Sequence, residues 1–530
     1  MRRLALLMIV MVLGLGANSL YVGRVDTIGG TTYDWQLQGP AKRTLANAPE
    51  YGLHTVWMYS ATEYPFSDRN IRYNFYNYLT RTWHWIEPDF ISSGINVFTE
   101  RAGFGNVQTD PNSGRAVIVA HISSGGSIRP VLVRDYEPGA GIFEFCLGPV
   151  GYLWPVLAVG ETGWAHIAMM EDATRNGIFY SRVVVWCRWD DPMLMSYSGD
   201  PSFNIAASPA SNKVIVSWVK IATPVDSLYY RLSTDGGASW SDPIALEPPP
   251  AYGGDTLTLF SLFGPFPYFD RNDQLHFVAD IIPVINDTMY LVPAGIWHWC
   301  ETNNPQWSLV RRAGCAPENL RGALGHNASY VSHPSIGEDN NGKLYVAWEE
   351  FDSSNVEPLT GLLRSNIWLA ASNDNGQTWG EALQLTPSNT VSHRFPCVVD
   401  LIIGGGANGD TVVVMYLMDS IAGFYVLDQG PMSYNPIVCQ FVPVSLLGMV
   451  GIKEASSVKR QGAICATVIS KVICLQSQPF NRSERFVLLD ALGRRVLDLK
   501  PGANDVRHLA PGVYFIQTGS SIERRVVITR

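Results

Sequence analysis

The sequence has no excess of positive charge: 38 Lys and Arg residues stand against 47 Asp and Glu residues in a chain of 530, a formal charge of −9. Proteins that bind nucleic acid regardless of its sequence need a strongly basic surface, so the composition argues against a nucleic-acid partner. Disorder is excluded as well, because 46% of the residues are hydrophobic and 11% are aromatic. The 48 Gly and 33 Pro residues indicate a fold with many turns.

Motifs for metal, phosphate and serine-hydrolase chemistry are also missing. None of the eight cysteines forms a CxxC pair, and we find no glycine-rich phosphate loop or nucleophile elbow. Four histidines on equivalent predicted strands suggest a metal ring as an alternative, but buried core histidines are commoner, so we predict no metal and no cofactor. These histidines are His54, His121, His166 and His276.

The chain begins with the features of an export signal. Met1-Arg2-Arg3 precedes an apolar run from Leu4 to Gly16, and small residues follow at Ala17-Asn18-Ser19. This order predicts a secretory signal peptide over residues 1–19. The alternative, a membrane anchor, would need a longer apolar run to cross about 30 Å of hydrocarbon. No later stretch is long enough either, so we expect a protein that is not integral to the membrane.

A unit made of a turn and an apolar strand recurs about every 50 to 70 residues along the chain. Short strands with Pro or small residues precede several of these units, and further strands follow them. Four short strands per unit without helical periodicity are typical of β-propeller blades, because stacked blades cover both faces of each sheet. The units begin at Gly52, Gly114, Gly163, Asn212, Asp273, Gly342 and Gly409.

These units predict an all-β chain with a seven-bladed β-propeller over residues 20–450. Six blades are the alternative, because residues 20–90 could form an accessory segment. A row of β-sandwiches would also repeat strands, but each sandwich normally needs about 100 residues. The string Trp297-His298-Trp299 is interpreted as part of a fourth strand that packs on the next blade.

Two turns share the pattern Ser-x-Asp-x-Gly-x-x-Trp, each directly after a predicted third strand. The two sets are Ser233, Asp235, Gly237 and Trp240, and Ser372, Asp374, Gly376 and Trp379. The pattern resembles the Asp-box, the bacterial neuraminidase repeat of sialidase-like propellers. The resemblance implies a structural turn between the third and fourth strands, on the rim away from the active site. In such a turn Asp accepts backbone N–H groups and Gly supplies a positive φ.

The Asp-boxes do not bring a recognisable sialidase site with them. Such a site needs three arginines that clamp a carboxylate, a Tyr nucleophile with a Glu beside it, and an acid/base Asp. The nearest match to the family's arginine motif is Arg394-Phe395-Pro396, which lies after the last box, where the family does not place it. We therefore interpret Arg394 as a residue at the start of a strand, and the catalytic residues stay unknown.

The last 80 residues have a different character, with a polar linker-like stretch followed by alternating strands. The order of Asp490, Gly493 and Arg494, then Gly512 and Tyr514, and finally a basic and valine-rich strand resembles the C-terminal sorting domain of type IX secretion substrates. The resemblance implies a small antiparallel β-sandwich over residues 451–530, the type IX secretion machinery as a partner, and a secreted or outer-surface location in a bacterium. The alternative is a plain accessory β-domain.

Together these features predict an exported propeller that binds a glycan or a surface protein without catalysis, since aromatic side chains can stack on sugar rings. A sialidase-like glycoside hydrolase or lyase is the first alternative, and a structural component of the surface layer is the second.

Overall fold

The computed structural model describes residues 21–198, 201–220, 225–252, 254–259, 264–326, 328–406 and 409–448, and in the tail residues 467–469, 472–475, 486–490, 494–500, 502–518 and 521–528. The predicted signal peptide lies outside these residues. The chain divides into two compact units, Met1–Gly451 and Ile452–Arg530. Among the described residues, no helix has the length and apolar character needed to cross a membrane.

The first unit is a β-propeller, and its described residues form seven sheets of four to six strands. The first strand of the chain, β1 (Arg24–Thr31), is used in the seventh sheet. Blade 1 contains β2 (Leu45–Ala48), β3 (Gly52–Tyr59), β4 (Asn70–Asn77), β5 (Thr82–Trp83) and β6 (Ile95–Asn96). Blade 2 contains β7 (Ala102–Thr109), β8 (Ala116–Ser124), β9 (Ser127–Asp135) and β10 (Phe143–Leu147).

The next two blades continue the same antiparallel order. Blade 3 contains β11 (Tyr152–Val159), β12 (Ala165–Glu171), β13 (Gly177–Val185), β14 (Arg188–Trp189) and β15 (Met193–Tyr197). Blade 4 contains β16 (Phe203–Ala207), β17 (Val214–Lys220), β18 (Ser227–Ser233) and β19 (Ile244–Leu246).

Blade 5 has a first strand in two pieces, because β20 and β21 both pair with the long β22. Its strands are β20 (Thr256–Leu259), β21 (Phe266–Phe269), β22 (Leu275–Ile285), β23 (Thr288–Met289), β24 (Ala294–Cys300) and β25 (Trp307–Ala313). Trp297 and Trp299 lie in β24, so the prediction of a fourth strand was wrong: β24 is the third strand, and β25 is the fourth.

Blade 6 contains β26 (Val331–Glu338), β27 (Leu344–Val356), β28 (Leu363–Ser372) and β29 (Leu383–Gln384). Blade 7 contains β30 (Ser392–Val398), β31 (Ile403–Gly406), β32 (Gly409–Asp419) and β33 (Asn435–Pro443). Short 3₁₀ turns occupy Phe90–Ser92, Pro317–Asn319, Tyr425–Leu427 and Val444–Leu446.

Strand β1 closes the ring. It pairs antiparallel with β33, from Arg24 opposite Phe441 to Thr31 opposite Asn435, and so forms the outer strand of blade 7. The start and end of the propeller are thereby joined in one sheet, which leaves no unpaired edge between the chain ends. The prediction of seven blades is confirmed, and residues 20–90 are not an accessory segment, because they supply both β1 and blade 1.

The repeated units found in the sequence are the second strands of the blades, namely β3, β8, β12, β17, β22, β27 and β32. All eight residues of β3 are buried, as expected for a strand with a neighbouring sheet on each face. The core consists of clusters between adjacent blades, in which Trp57, Tyr345 and Trp348 are among the largest fully buried side chains.

The second unit contains a five-stranded sheet and a two-stranded one. The strands are β34 (Thr467–Ile469), β35 (Val472–Leu475), β36 (Phe486–Leu489), β37 (Arg495–Leu499), β38 (Gly502–Asp505), β39 (Gly512–Thr518) and β40 (Ser521–Ile528). The pairs are antiparallel except that of β34 and β40, which is parallel. Leu488, Leu499, Val506, Tyr514 and Ile516 form its buried core.

Candidate functional site

The first strands of the blades run in one direction along the propeller axis, so the propeller has two distinct ends. We call the end where the first strands begin the mouth. The other end carries both Asp-box-like turns: Ser233 pairs with Val214, which pairs with Ala207 at the end of first strand β16. Blade 6 repeats this arrangement. We call this second end the box end.

The turn in blade 4 is tied by its own side chains. Oδ1 of Asp235 accepts the backbone N–H groups of Ala238 and Ser239 at 3.0 and 2.9 Å, and its Oδ2 accepts the Ser239 hydroxyl at 2.6 Å. These bonds lower the pKa of Asp235 to about 2. Ser233 donates its hydroxyl to Asp235 and accepts the N–H of Gly237 at 2.8 Å each. Both carboxylate oxygens of Asp235 thus accept hydrogen bonds from within the turn.

The turn in blade 6 is tied in a similar way: Oδ1 of Asp374 accepts the N–H of Thr378 at 2.9 Å, and the N–H of Gln377 donates to the backbone carbonyl of Asp374. Both turns dock on the preceding blade. A Cβ on Gly376 would lie 2.1 Å from Cε1 of His298, and a Cβ on Gly237 would lie 1.8 Å from the Tyr180 hydroxyl. The Trp379 ring donates to the Ser308 hydroxyl, and Trp240 packs edge-on against Tyr180 with centroids 4.7 Å apart.

At the mouth, four first strands share a bulge with a left-handed residue. The bulges lie in β7, β11, β26 and β30. Positive φ in bulky residues is strained, and such strain is concentrated at functional sites. The four residues are Phe104 (φ 54°), Trp154 (φ 49°), His333 (φ 54°) and Phe395 (φ 58°). All four of these strained bulges therefore lie at the mouth.

One half of the mouth is closed by an internal ion network. Arg394 donates Nε and Nη2 to the two oxygens of Glu349 at 3.1 and 3.0 Å, and Nδ1 of His333 lies 3.0 Å from Oε1. Burial raises the pKa of Glu349, but the positive charges of Arg394 and His333 have the larger combined effect and lower this pKa to about 2. Arg394 is 4% exposed and donates Nε and Nη2 to Glu349, so this edge of its guanidinium is not available to clamp a ligand carboxylate.

The other half of the mouth holds polar side chains with few internal partners. A Cβ on Gly103 would lie 3.1 Å from both Nη2 of Arg69 and Nε2 of His121, so these two groups flank the Gly103 Cα, and the space between them is too small for a larger side chain. The Arg69 guanidinium lies 5.6 Å from the Tyr33 ring centroid. Phe104 adds an aromatic wall, with its ring centroid 6.0 Å from that of His121.

Positive charge dominates this half. Burial and the cations Arg69, Lys42, Arg101 and Arg175 lower the pKa of His121 to about 3, so the imidazole is neutral at pH 7. Its Nδ1 accepts the backbone N–H of Trp154 at 3.4 Å, which assigns the ring proton to Nε2. Arg69 and His121 therefore both present N–H donors to the same space.

The phenol of Tyr33 completes this group of donors. Burial raises the pKa of Tyr33, and Arg69 opposes that effect only in part, so Tyr33 is a neutral phenol at pH 7. Within the described residues, Arg69, Arg101 and Lys42 pair with no carboxylate. This half of the mouth can therefore hold an anion, which would accept hydrogen bonds from it.

A segment before blade 1 crosses the axis below this group. Nδ2 of Asn204 donates to the carbonyl of Ala41 at 3.0 Å, and the N–H of Val107 donates to the carbonyl of Arg43 at 2.9 Å. Between them, Lys42 is 3% exposed, and its Nζ has no hydrogen-bond partner in the described structure. Burial lowers the pKa of Lys42 to about 7.

The remaining predicted residues have structural surroundings. His54 and His166 each contact a tyrosine hydroxyl at 2.7 Å, and Nδ1 of His276 lies 2.9 Å from Nε2 of His298. His121 alone among the four lies at the mouth. No group of three or more His, Cys, Asp or Glu side chains suited to a metal ion exists in the described part of the chain.

In the tail, Arg494 donates its N–H and Nε to the carboxylate of Asp490 at 2.9 and 2.7 Å, which ties the β36–β37 turn. Tyr514 donates its hydroxyl to the carbonyl of Ala510 at 2.8 Å, and Gly512 begins β39. Gly493 lies outside the described residues.

Neither the known protein families nor the curated proteins include a match to this chain. Solved structures do resemble it. An ulvan lyase, described as a new family of polysaccharide lyase, aligns with 77% of this chain and 100% of its own at 11% identity and a TM-score of 0.46.

Two other glycan-processing enzymes align less closely. An α-L-arabinanase from Penicillium chrysogenum gives 13% identity over 56% of this chain and 94% of its own, with a TM-score of 0.33. A Hadza microbial sialidase gives 13% identity over 72% and 74%, with a TM-score of 0.34. These likenesses concern the fold, so the chemistry has to be argued from the side chains of this chain.

Proposed function

We propose that the protein is an exported propeller that binds an acidic glycan at its mouth. The observation that carries the proposal is the pair of donors beside Gly103, the Arg69 guanidinium and Nε2 of His121, of which Arg69 has no carboxylate partner among the described residues. A planar guanidinium matches a carboxylate or sulfate group through two parallel bonds. Arg69 is half-buried and donates Nε to the carbonyl of Ala102 at 3.0 Å, and a bound anion would supply the countercharge that it lacks.

The aromatic side chains support a sugar rather than a bare anion. Tyr33 and Phe104 are buried beside the donors, and Trp154 is partly exposed, so its ring is the one that can stack on the apolar face of a sugar. The Tyr33 phenol can donate to a ring hydroxyl while Arg69 holds the acidic group. The site thus combines one charged clamp with apolar walls, which is the usual composition of a ligand pocket.

The test is binding of purified full-length protein to an array of acidic and neutral oligosaccharides. We expect binding to uronate- or sulfate-bearing spots, and a loss of about tenfold or more in affinity for Arg69→Gln, since one charge-assisted bond contributes about 1.5–3 kcal/mol. Arg188→Gln is the matched control, because Arg188 is exposed on the outer strand β14. Equal binding of neutral and acidic spots, or no effect of Arg69→Gln, would refute the proposal.

A catalytic alternative is supported by the same three side chains. If His121 took the other tautomer, its Nε2 could accept the proton α to a uronate carboxylate held by Arg69, and Tyr33 could protonate the leaving glycosidic oxygen. The C–H and C–O bonds would break and a C=C bond would form in the sugar ring. The unsaturated product absorbs ultraviolet light, so incubation with uronate polysaccharides separates this lyase from a binding protein. The hydrolytic, sialidase-type alternative lacks such support, because Arg394 is paired with Glu349.

We also propose that residues 1–19 direct export and that residues 451–530 are a type IX sorting domain, as their resemblance implies. The Asp490–Arg494 turn and the Gly512–Tyr514 strand support this proposal. In a bacterium with type IX secretion, the full chain should reach the surface or the medium, whereas a chain ending at residue 450 should stay in the periplasm. Identical location of the two forms would contradict a sorting role. A surface-layer role predicts assembly, and sedimentation of the purified protein as a monomer would exclude it.

A further inference from the structure

The box end of the propeller contains a cavity that the mouth does not explain. It has a volume of about 320 Å³ and lies on the axis, where the first strands end. Its wall includes Arg43, Tyr268, Arg271 and Glu338, together with apolar strand ends such as Val156–Val159. The size falls within the range of pockets that hold small ligands.

Glu338 is an unusual group for such a wall. It is 1% exposed, and its Oε1 accepts the Tyr268 hydroxyl at 3.1 Å and the N–H of Arg271 at 2.9 Å. Its Oε2 is buried and has no donor among the described residues. A buried carboxylate oxygen without a partner is costly, and a ligand hydroxyl in the cavity would satisfy it.

Arg43 forms the inner wall. It donates Nη1 to the carbonyl of Val398 and Nη2 to that of Ile336, both at 3.1 Å, and pairs with no carboxylate in the described structure. Each of these nitrogens carries a second N–H that could reach a ligand. The cavity therefore offers both an acceptor and a donor to a hydroxylated ligand.

A groove of about 610 Å³ leads outward from this cavity, with Asn47, Pro49, Arg271 and Leu401 common to both. Arg24, Arg81, Tyr76 and Tyr78 line the rest of it. Arg24 is paired with Asp26 at 3.2 Å, but Arg81 and Arg271 have no carboxylate partner in the described parts of the chain. The groove lining thus includes three arginines and two tyrosines among apolar and neutral polar residues, and the cavity at its inner end has both acidic and basic groups.

We propose that the box end is a second glycan site, in which the terminal sugar of an acidic oligosaccharide occupies the axial cavity at Glu338 and Arg43 and the following units lie along the groove at Arg271 and Arg81. This site is independent of the mouth, because the residues that form it lie at the opposite end of the first strands. Guanidinium groups would hold the acidic substituents, and the partly exposed Tyr78 would contact a sugar ring.

The experiment counts bound ligands on the full chain by native mass spectrometry and measures their affinities by calorimetry. The probes are a galacturonate tetrasaccharide, a heparin-derived tetrasaccharide and the neutral cellotetraose. The double variant Arg81→Asn with Arg271→Gln removes the two groove charges that have no carboxylate partner among the described residues. Asparagine is chosen at position 81 because it tolerates the positive φ of 58° found there. Glu338→Gln tests the cavity, and Arg188→Gln is again the control.

We expect the groove double variant to lose one bound acidic oligosaccharide, with a fall in affinity of about tenfold or more at that site. Arg69→Gln should leave this binding event intact, which separates the second site from the mouth. If the mouth does not bind glycans, the wild-type chain should still bind one probe in the groove. The proposal is overturned if neither acidic probe binds at millimolar concentration, if cellotetraose binds equally well, or if the groove variants bind like wild type.

Discussion

The buried network of Arg394, Glu349 and His333 allows a quantitative prediction for Glu349→Gln. The carboxylate accepts two bonds from Arg394 and one from the N–H of Phe395, and it is fully buried. The glutamine keeps the shape but removes the carboxylate that Arg394 contacts directly, and the Arg394 charge stays buried. Breaking a buried pair in this way costs about 3–5 kcal/mol. The fall in the pKa of Glu349 from 4.5 to about 2 corresponds to roughly 3 kcal/mol, in agreement.

The same network determines how the stability of the protein depends on pH. Because the folded-state pKa of Glu349 lies below the unfolded value, its stabilisation is present above pH 4.5 and is lost as the pH falls from 4.5 towards 2. Urea unfolding followed by tryptophan fluorescence should show this loss in the wild-type chain and a flatter profile in Glu349→Gln. A matched control is Glu350→Gln, whose partner Arg311 has a side chain that is 33% exposed, so a smaller loss than for Glu349→Gln is expected.

A double variant separates the charge from the packing. Glu349→Gln with Arg394→Met removes both charges, and it should be clearly more stable than the sum of the two single variants predicts. The reasoning is refuted if Glu349→Gln is as stable as wild type at pH 7, or if the single and double variants are additive.

Three further predictions concern other parts of the propeller. Gly376→Ala should destabilise the protein by about 2 kcal/mol or more, since its Cβ would lie 2.1 Å from His298 at a φ of 74°, and a melting point equal to wild type would contradict this. Burial lowers the pKa of Lys42 from 10.5 to about 7, so the wild-type protein should gain stability between pH 7 and 10.5. Lys42→Met should stabilise the protein by roughly 1–2 kcal/mol at pH 7 and remove that gain. Urea unfolding that is the same for the variant and the wild type at both pH values would refute this prediction. Deletion of residues 21–31 should expose the edge of β33 and cause aggregation on light scattering, and a monodisperse product would argue against ring closure by β1.

Much of the fold could be predicted because a blade leaves a local pattern. Second strands are buried on both faces, so runs such as the one after Gly114 read as continuous apolar segments with a turn before each. The role of β1 as the strand that closes the ring was not predicted. Its pairing joins Arg24 to Phe441, residues far apart in the sequence, and no local sequence pattern indicates such a pairing. Trp297 was placed one strand too late, because alternation shows a strand but not its position in a sheet.

The candidate site was less predictable. Tyr33, Arg69 and His121 come from three separate segments, and the space between them depends on Gly103 in a fourth. No motif joins them in sequence. The available signal was the recurrence of an aromatic or His residue just before Pro in Trp154-Pro155, His333-Pro334 and Phe395-Pro396, which marks the bulged starts of first strands.

The central claim, an acidic sugar held at the mouth, is tested most directly by a crystal structure with the acidic oligosaccharide that binds best. The account predicts a carboxylate or sulfate within hydrogen-bond distance of the Arg69 guanidinium and Nε2 of His121, beside Gly103. A ligand that lies elsewhere while the mouth stays empty, or a neutral sugar bound there with its hydroxyls on Arg69, would contradict it.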